Sequence, residues 1–220
     1  MKLAREHETI ADLRHRRRAT LFQRNMEGAI KTFSMDNPEA PTFNVSWKPF
    51  FLNLKAPESS DKPIKDYLLE KYGEANGSRM IRALADAGKR CGIAFTDERV
   101  VHNTLKSHRL VHLAGTQGKQ DAVIEKIFSQ YFEHGKNIAD VSVLSQIASE
   151  TGVEGGAEYL EGKQDEAEVI REFEEGVRRH RIQGVPHFVI QREGRSQAVT
   201  LSGAQPSQAF EEAFEALQDV

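Results

Sequence analysis

The sequence predicts an α/β fold in which strands near both ends of the chain enclose a long helical stretch. The first observation behind this prediction is the segment 185–201, where a turn joins two apolar runs and a helix pattern follows. The second is the stretch from Pro63 to Arg181, where apolar residues recur at helical spacing in six successive segments. Because no strand pattern interrupts those segments, we expect them to form a compact helical subdomain.

Composition limits the class of protein. The chain has 220 residues and a formal net charge of -3, which gives no reason to expect nucleic acid as the main partner. No apolar run is long enough to span a bilayer, and the first residues lack the apolar core of a secretory signal. The single cysteine, Cys91, rules out a disulfide within the chain and suits a reducing compartment. We therefore expect a cytoplasmic protein that binds neither nucleic acid nor membranes.

The N-terminal part is predicted to contain one helix and one strand. Residues 19–34 show helical periodicity, which the Asp-Asn-Pro sequence at 36–38 ends. Residues 42–53 are rich in strand formers, although Pro49 makes their second half an edge or a strand exit. The basic run at 14–18 is interpreted as a solvated arm, with a nuclear signal or a nucleic-acid patch as the alternative.

The helical stretch carries its own boundary signals. Asp140 is predicted to be an N-cap, and Gly152 is predicted to be the glycine that follows the same helix. The six predicted segments are 63–72, 80–88, 103–114, 121–134, 140–152 and 164–181.

The C-terminal part returns to strands. Val185–Gln191 and Gln197–Leu201 are predicted strands, and Arg192–Arg195 supplies the turn between them. Pro186 suits a strand start because proline cannot donate a ladder hydrogen bond, and its peptide bond is a candidate for the cis form. Pro206 is predicted to open the last helix.

Four segments, in order along the chain, carry a resemblance to a known family. They are residues 45–53 (Val-Ser-Trp-Lys-Pro-Phe-Phe-Leu-Asn), 103–110 (Asn-Thr-Leu-Lys-Ser-His-Arg-Leu), 184–190 (Gly-Val-Pro-His-Phe-Val-Ile) and 202–206 (Ser-Gly-Ala-Gln-Pro). With them the chain resembles the DsbA-like thioredoxin family, in the branch of FrnE and the 2-hydroxychromene-2-carboxylate isomerases. The resemblance implies a thioredoxin-like fold with a large all-helical insertion subdomain. We expect the thioredoxin-like domain at 1–60 and 182–220, and the insertion at 61–181.

The N-terminus departs from the family pattern. In the family a first strand leads into Cys-Pro-Trp-Cys at the start of the first helix. Matching Gln23–Ile30 to that helix places Arg16 and Ala19 where the two cysteines would be, and no apolar strand precedes them. The sequence therefore predicts that the first strand and the catalytic residues are absent. A degenerate member and an altered gene start are both compatible with this departure.

The resemblance implies a substrate site without a redox centre. Val185 and Pro186 match the loop whose backbone edge contacts a peptide or glutathione in the family. Asn103 and His108 match the insertion segment that faces the active-site cleft. The alternatives are that Pro186 only starts a strand and that Asn103 caps a helix. Cys91 is expected to be a small, at least half-buried residue rather than a reactive thiol.

Two functions follow from these observations. By family the chain is a thiol-disulfide oxidoreductase or a glutathione-dependent isomerase, predicted to be inactive because the Cys-x-x-Cys is missing. The alternative is a non-catalytic module that binds a thiol- or disulfide-containing peptide or glutathione; a homodimer is also left open. No cofactor or metal is expected. His108 and His112 share a helix face that could bind zinc, but no further ligand has a specific spacing.

Overall fold

A computed structural model describes residues 21–39, 42–58, 62–90 and 94–218 of the chain. The chain divides into two compact units, one made of its parts up to Ser46 and from His180 onward, the other of Trp47–Arg179. The predicted domain bounds at 60/61 and 181/182 stay a prediction, because a compact unit is not by itself a separately folding domain. The described elements are α1 Leu21–Asp36, α2 Ile64–Tyr72, α3 Glu74–Arg90, α4 Leu105–Thr116, α5 Gln120–Phe128, a π-helical turn Ser129–Glu133, α6 Val141–Glu150, α7 Gly156–Glu161, α8 Glu166–His180, β1 His187–Gln191, β2 Ala198–Ser202 and α9 Ser207–Glu215.

The first unit packs α1 and α9 against one face of the β1–β2 hairpin. The strands pair antiparallel, with His187 opposite Ser202. Alternation along β1 turns Ile190 into the core, where it is 9% exposed, and leaves Val189 40% exposed on the other face. The buried core of this unit consists of Ala29, Phe33, Ile190, Phe210, Ala213, Phe214 and Leu217.

The helix predicted near residue 19 and the C-terminal hairpin are confirmed within the described residues. Pro206 has the extended backbone of a residue just before a helix, and α9 begins one residue later than predicted, at Ser207. The expected absence of a first strand concerns residues 1–20, which lie outside the described ranges, as do Arg16, Ala19 and Cys91.

The strand predicted over residues 42–53 is wrong, since this segment forms no strand in the structure. The backbone of Trp47 is paired instead with a side chain: its N–H donates to Gln120 Oε1 at 2.8 Å, and its carbonyl accepts from Gln120 Nε2 at 3.1 Å. The indole N–H of Trp47 donates to Asp121 at 2.6 Å. The amide of Gln120 thus satisfies backbone groups that a neighbouring strand would otherwise have to satisfy.

The described part of the second unit is helical, as predicted, with one α-helix more than the sequence indicated. Asp140 caps α6 by accepting from the Ser142 N–H at 2.7 Å. Gly152 ends the helix with a φ of 72°, so both predicted boundaries are confirmed. The short α7 was not predicted because six residues are too few to show periodicity. The core of this unit consists of Leu110, Ala114, Val123, Ile127, Ile138, Leu144, Ile147, Ala148, Val153, Tyr159 and Leu160.

None of the helices in the described ranges is both long and apolar enough to cross a membrane.

Candidate functional site

The loop before β1 presents an exposed residue beside a fixed proline. The Val185–Pro186 peptide bond is cis, and the Val185 side chain is 50% exposed. The carbonyl of Pro186 accepts a hydrogen bond from the N–H of Gly203 at 2.8 Å. The end of the loop is therefore tied to the residue that follows β2, while Val185 faces solvent.

The backbone groups along one edge of β1 point away from β2. The bond between Gly203 and Pro186 makes these two a hydrogen-bonded pair of the antiparallel ladder. Because such pairs alternate along a ladder, the backbone groups of His187 and Val189 point away from β2. Among the described residues no other strand pairs with this edge. An extended ligand segment could add to β1 there.

A chain of hydrogen bonds in the first unit joins the start of β1, next to this loop, to the end of β2, to the loop before α9 and to α1. The ring of His187 bonds through Nδ1 to Ser202 Oγ at 2.8 Å. The side chain of Gln205 donates to the Ser202 carbonyl at 2.6 Å, and Asn25 on α1 donates to the Gln205 carbonyl at 2.7 Å. Sequence reasoning missed this set, because its bonds join residues up to 180 positions apart. We call it the loop network; its members are Asn25, Gln205, Ser202 and His187.

The side chain of Asn103 is engaged within the second unit. Its Nδ2 donates to the carbonyls of Leu54 and Ala56, both at 3.0 Å. Its Oδ1 accepts from the N–H of Leu105, the first residue of α4, at 2.9 Å. The sequence left open a role for Asn103 as a helix cap; the N-cap of α4 is Thr104, and Asn103 instead bonds to the backbone two residues on and holds the preceding loop. Its contact with a substrate stays a prediction.

His108 lies among aromatic rings. Its ring meets Phe51 edge-on at a centroid distance of 4.8 Å, and Phe51 packs on Phe173 at 5.1 Å. Burial lowers the pKa of His108 to about 4, although a hydrogen bond with the backbone of Phe50 acts in the opposite direction. The imidazole is therefore neutral near pH 7, and its role in binding a substrate stays a prediction.

The neighbouring residue, Arg109, is fully buried and was not singled out from the sequence. Its Nε donates to the Gln164 carbonyl at 2.8 Å, and its Nη2 donates to the Tyr159 carbonyl at 2.6 Å. The guanidinium also lies 4.9 Å from the centre of the Tyr159 ring. Burial raises the pKa of Tyr159 to about 12, aided by its hydrogen bond to Asp165. Arg109 thus joins α4 to α7 and to the segment just before α8.

The four predicted substrate residues belong to two different units. Val185 and Pro186 lie in the first unit, whereas Asn103 and His108 lie in the second. Among the described residues, no three side chains of His, Cys, Asp or Glu are placed together as metal ligands. In the described part of the first unit, the loop and its network bring together a half-exposed Val185 and backbone groups of β1 that point away from β2.

Comparison with known proteins agrees with the DsbA-like thioredoxin part of the resemblance seen in the sequence, whereas the FrnE and isomerase branch stays a prediction. The model of a family described as DSBA-like thioredoxin domain matches residues 19–215. No curated protein sequence matches the chain. A crystal structure of a probable DsbA oxidoreductase from Streptomyces coelicolor is similar at 22% identity and a TM-score of 0.76, covering 92% of this chain and 86% of that one. The cytosolic disulfide reductase DsbM from Pseudomonas aeruginosa is similar at 16% identity and a TM-score of 0.54, with 90% of each chain covered. The predicted thioredoxin-like fold with a helical insertion is thereby confirmed.

Proposed function

Since the chain belongs to the family of DSBA-like thioredoxin domains, we propose that it binds an extended peptide or glutathione at the Val185–Pro186 loop without exchanging disulfides. The observation that carries this proposal is the loop itself: Val185 is half exposed, and the adjacent edge of β1 has backbone groups directed away from β2. Main-chain hydrogen bonds to such an edge recognise an extended segment whatever its side chains. A tripeptide such as glutathione offers the same groups.

The absence of exchange chemistry rests on the cysteine count. Dithiol oxidation and reduction pass through a mixed disulfide that a second thiol resolves. The 220 residues contain one cysteine, Cys91, so this chain cannot close a disulfide within itself. We include a cytoplasmic location and a place in the FrnE and isomerase branch in the proposal. The single cysteine and the four matched segments support them, and one structural neighbour is described as a cytosolic disulfide reductase.

A redox assay tests the first half of the proposal. We expect the purified chain to reduce insulin, or to oxidise a dithiol peptide, no faster than buffer does. The variant Cys91→Ser should behave identically. Turnover clearly above the uncatalysed rate that survives this substitution would overturn the proposed lack of activity.

A binding assay tests the second half. A fluorescein-labelled extended peptide and glutathione are titrated separately against the protein, by anisotropy and by NMR. Val185→Asp should weaken saturable binding, because it puts a charge where the ligand backbone approaches. Met35→Asp is the matched control, since Met35 is 70% exposed on α1 in the same unit. N-methylation of peptide amides should cost about three- to tenfold in affinity where a main-chain hydrogen bond is lost. If neither probe saturates the wild-type protein, the binding proposal fails.

A further inference from the structure

We propose that the loop network positions the Val185–Pro186 loop for its ligand, with His187 and Ser202 as positioning residues. This inference rests on the proposed function, because the ligand is the one proposed there. It is carried by a separate observation. Two hydrogen bonds join the start of β1 to the end of β2, one joins the loop before α9 to Ser202, and one joins α1 to that loop.

The bond between His187 and Ser202 holds the residue that directly follows the proline. These two residues face each other in a pair without backbone hydrogen bonds, where side chains of opposite strands come closest. Their contact at 2.8 Å fixes the rotation of the imidazole, because Nδ1 is the ring atom that is engaged. The backbone of His187 is thereby fixed at the point where β1 begins.

Gln205 and Asn25 extend the support to the first helix. Gln205 holds the carbonyl of Ser202 through its side chain and offers its own carbonyl to Asn25. Asn25 belongs to the second turn of α1. The network therefore links α1 to the ligand loop by hydrogen bonds of defined direction, which apolar packing alone does not provide.

The other ring nitrogen of His187 indicates that a contribution to stability is not the only role of a histidine at this position. Its Nε2 is shielded from solvent and has no hydrogen-bond partner among the described residues. Buried polar atoms without partners are rare in folded proteins. In His187, Nδ1 is bonded to Ser202 while Nε2 has no hydrogen-bond partner among the described residues. This arrangement fits a positioning role, in which the direction of the bond to Ser202 matters more than a hydrogen bond for both ring nitrogens.

Paired substitutions separate positioning from general stability. Ser202→Ala removes the hydroxyl, whereas Ser202→Thr keeps it on a residue that suits a strand. His187→Asn keeps a polar atom near the place of Nδ1, whereas His187→Gln moves it toward the place of Nε2. We expect Ser202→Ala and His187→Gln to weaken peptide binding by about three- to tenfold, and the other two to bind within about twofold of wild type.

Gln208→Ala is the matched control. Gln208 also makes an exposed side-chain hydrogen bond in the first unit, to Glu212 on α9, but it lies outside the loop network. It should leave the affinity unchanged. Thermal melts of each variant show whether the protein is folded; if Ser202→Ala does not fold, Asn25→Ala tests the far end of the network. Equal losses for Ser202→Ala and Ser202→Thr would overturn the inference.

A second measurement needs no ligand. The N–H of Gly203 is bonded to the Pro186 carbonyl, so its hydrogen exchange reports on the loop. Ser202→Ala should speed this exchange by about three- to tenfold, and Ser202→Thr should not. If wild type binds neither probe while Gly203 responds in this way, the proposed function fails and the positioning of the loop stands. An unchanged exchange rate in Ser202→Ala overturns the inference itself.

Discussion

Replacing His108 with phenylalanine should make the protein less sensitive to acid. The imidazole lies against Phe51, and burial lowers its pKa from an ordinary value of 6.5 to about 4. The unfolded chain takes up a proton near pH 6.5, while the folded protein resists protonation until about pH 4. The stability associated with neutral His108 is therefore complete above pH 6.5 and is lost as the pH falls toward 4.

The size of the effect follows from the two pKa values. A difference of about 2.5 units at about 1.36 kcal/mol each gives about 3 kcal/mol between pH 7.5 and pH 4. Phenylalanine fills a similar volume but cannot bond to the backbone of Phe50. We thus expect His108→Phe to lose about 1 kcal/mol at pH 7.5 and to become the more stable protein near pH 4.5.

Urea unfolding followed by circular dichroism measures this at about pH 7.5, 6.0, 5.0 and 4.5. The quantity of interest is the difference in unfolding free energy between variant and wild type at each pH, since other titrating groups cancel in it. Ile147→Val is the control: it removes a methylene from the core and should cost about 0.5–1.5 kcal/mol at every pH. A difference for His108→Phe that does not vary with pH would refute the buried, neutral imidazole.

Three further changes probe other parts of the structure. A methyl at Gly156 would lie 2.5 Å from a neighbouring carbon, so Gly156→Ala should lower the free energy of unfolding by about 1–3 kcal/mol. Gly176 faces open space, so Gly176→Ala should raise it by about 0.5–1 kcal/mol in the same urea titration, and equal effects would contradict the packing. Gln120→Ala should shift the emission of Trp47, the single tryptophan, to longer wavelength, and an unchanged spectrum would contradict their pairing. Burial lowers the pKa of His102, so His102→Phe should gain more stability near pH 5 than near pH 7.5, and the reverse order would disprove the assignment.

The parts of the fold that the sequence predicted are those with local signals. The α6 helix has an N-cap carboxylate, Asp140, and a glycine, Gly152, at positive φ, and both act over a few residues. The β1–β2 hairpin has two short runs rich in apolar residues and a turn between them. In these places the interactions that stabilise the element are made by the same short segment that carries the sequence pattern.

The predictions failed where the stabilising partner is distant in sequence. Trp47 looked like a strand residue, but its backbone is bonded to Gln120, 73 positions later. Arg109 was not singled out from the sequence, yet its guanidinium donates to the carbonyls of Tyr159 and Gln164, 50 and 55 positions later. Neither partner can be identified from composition or periodicity, because a side-chain amide or a helix-end carbonyl carries no pattern of its own.

At the candidate site, too, interactions with residues distant in sequence were not predicted. Asn103 and His108 were assigned to substrate by resemblance, yet within the second unit their side chains are engaged with the backbone of residues 54–56 and with Phe51. Substituting either residue should therefore change the free energy of unfolding of the protein, whether or not it changes binding of a ligand. Val185 has no such role, since its side chain is half exposed.

This difference decides how binding data should be interpreted. If His108→Phe weakens peptide binding only in proportion to the fraction of protein that is unfolded, the residue supports the fold of the second unit. If it weakens binding at about pH 7.5 with the protein fully folded, the result supports the predicted role of His108 in substrate binding. Val185→Asp should show the second behaviour and not the first, because an exposed side chain contributes little to folding. Measuring both variants at one protein concentration, with the unfolded fraction taken from the urea titration, separates support of the fold from contact with the ligand.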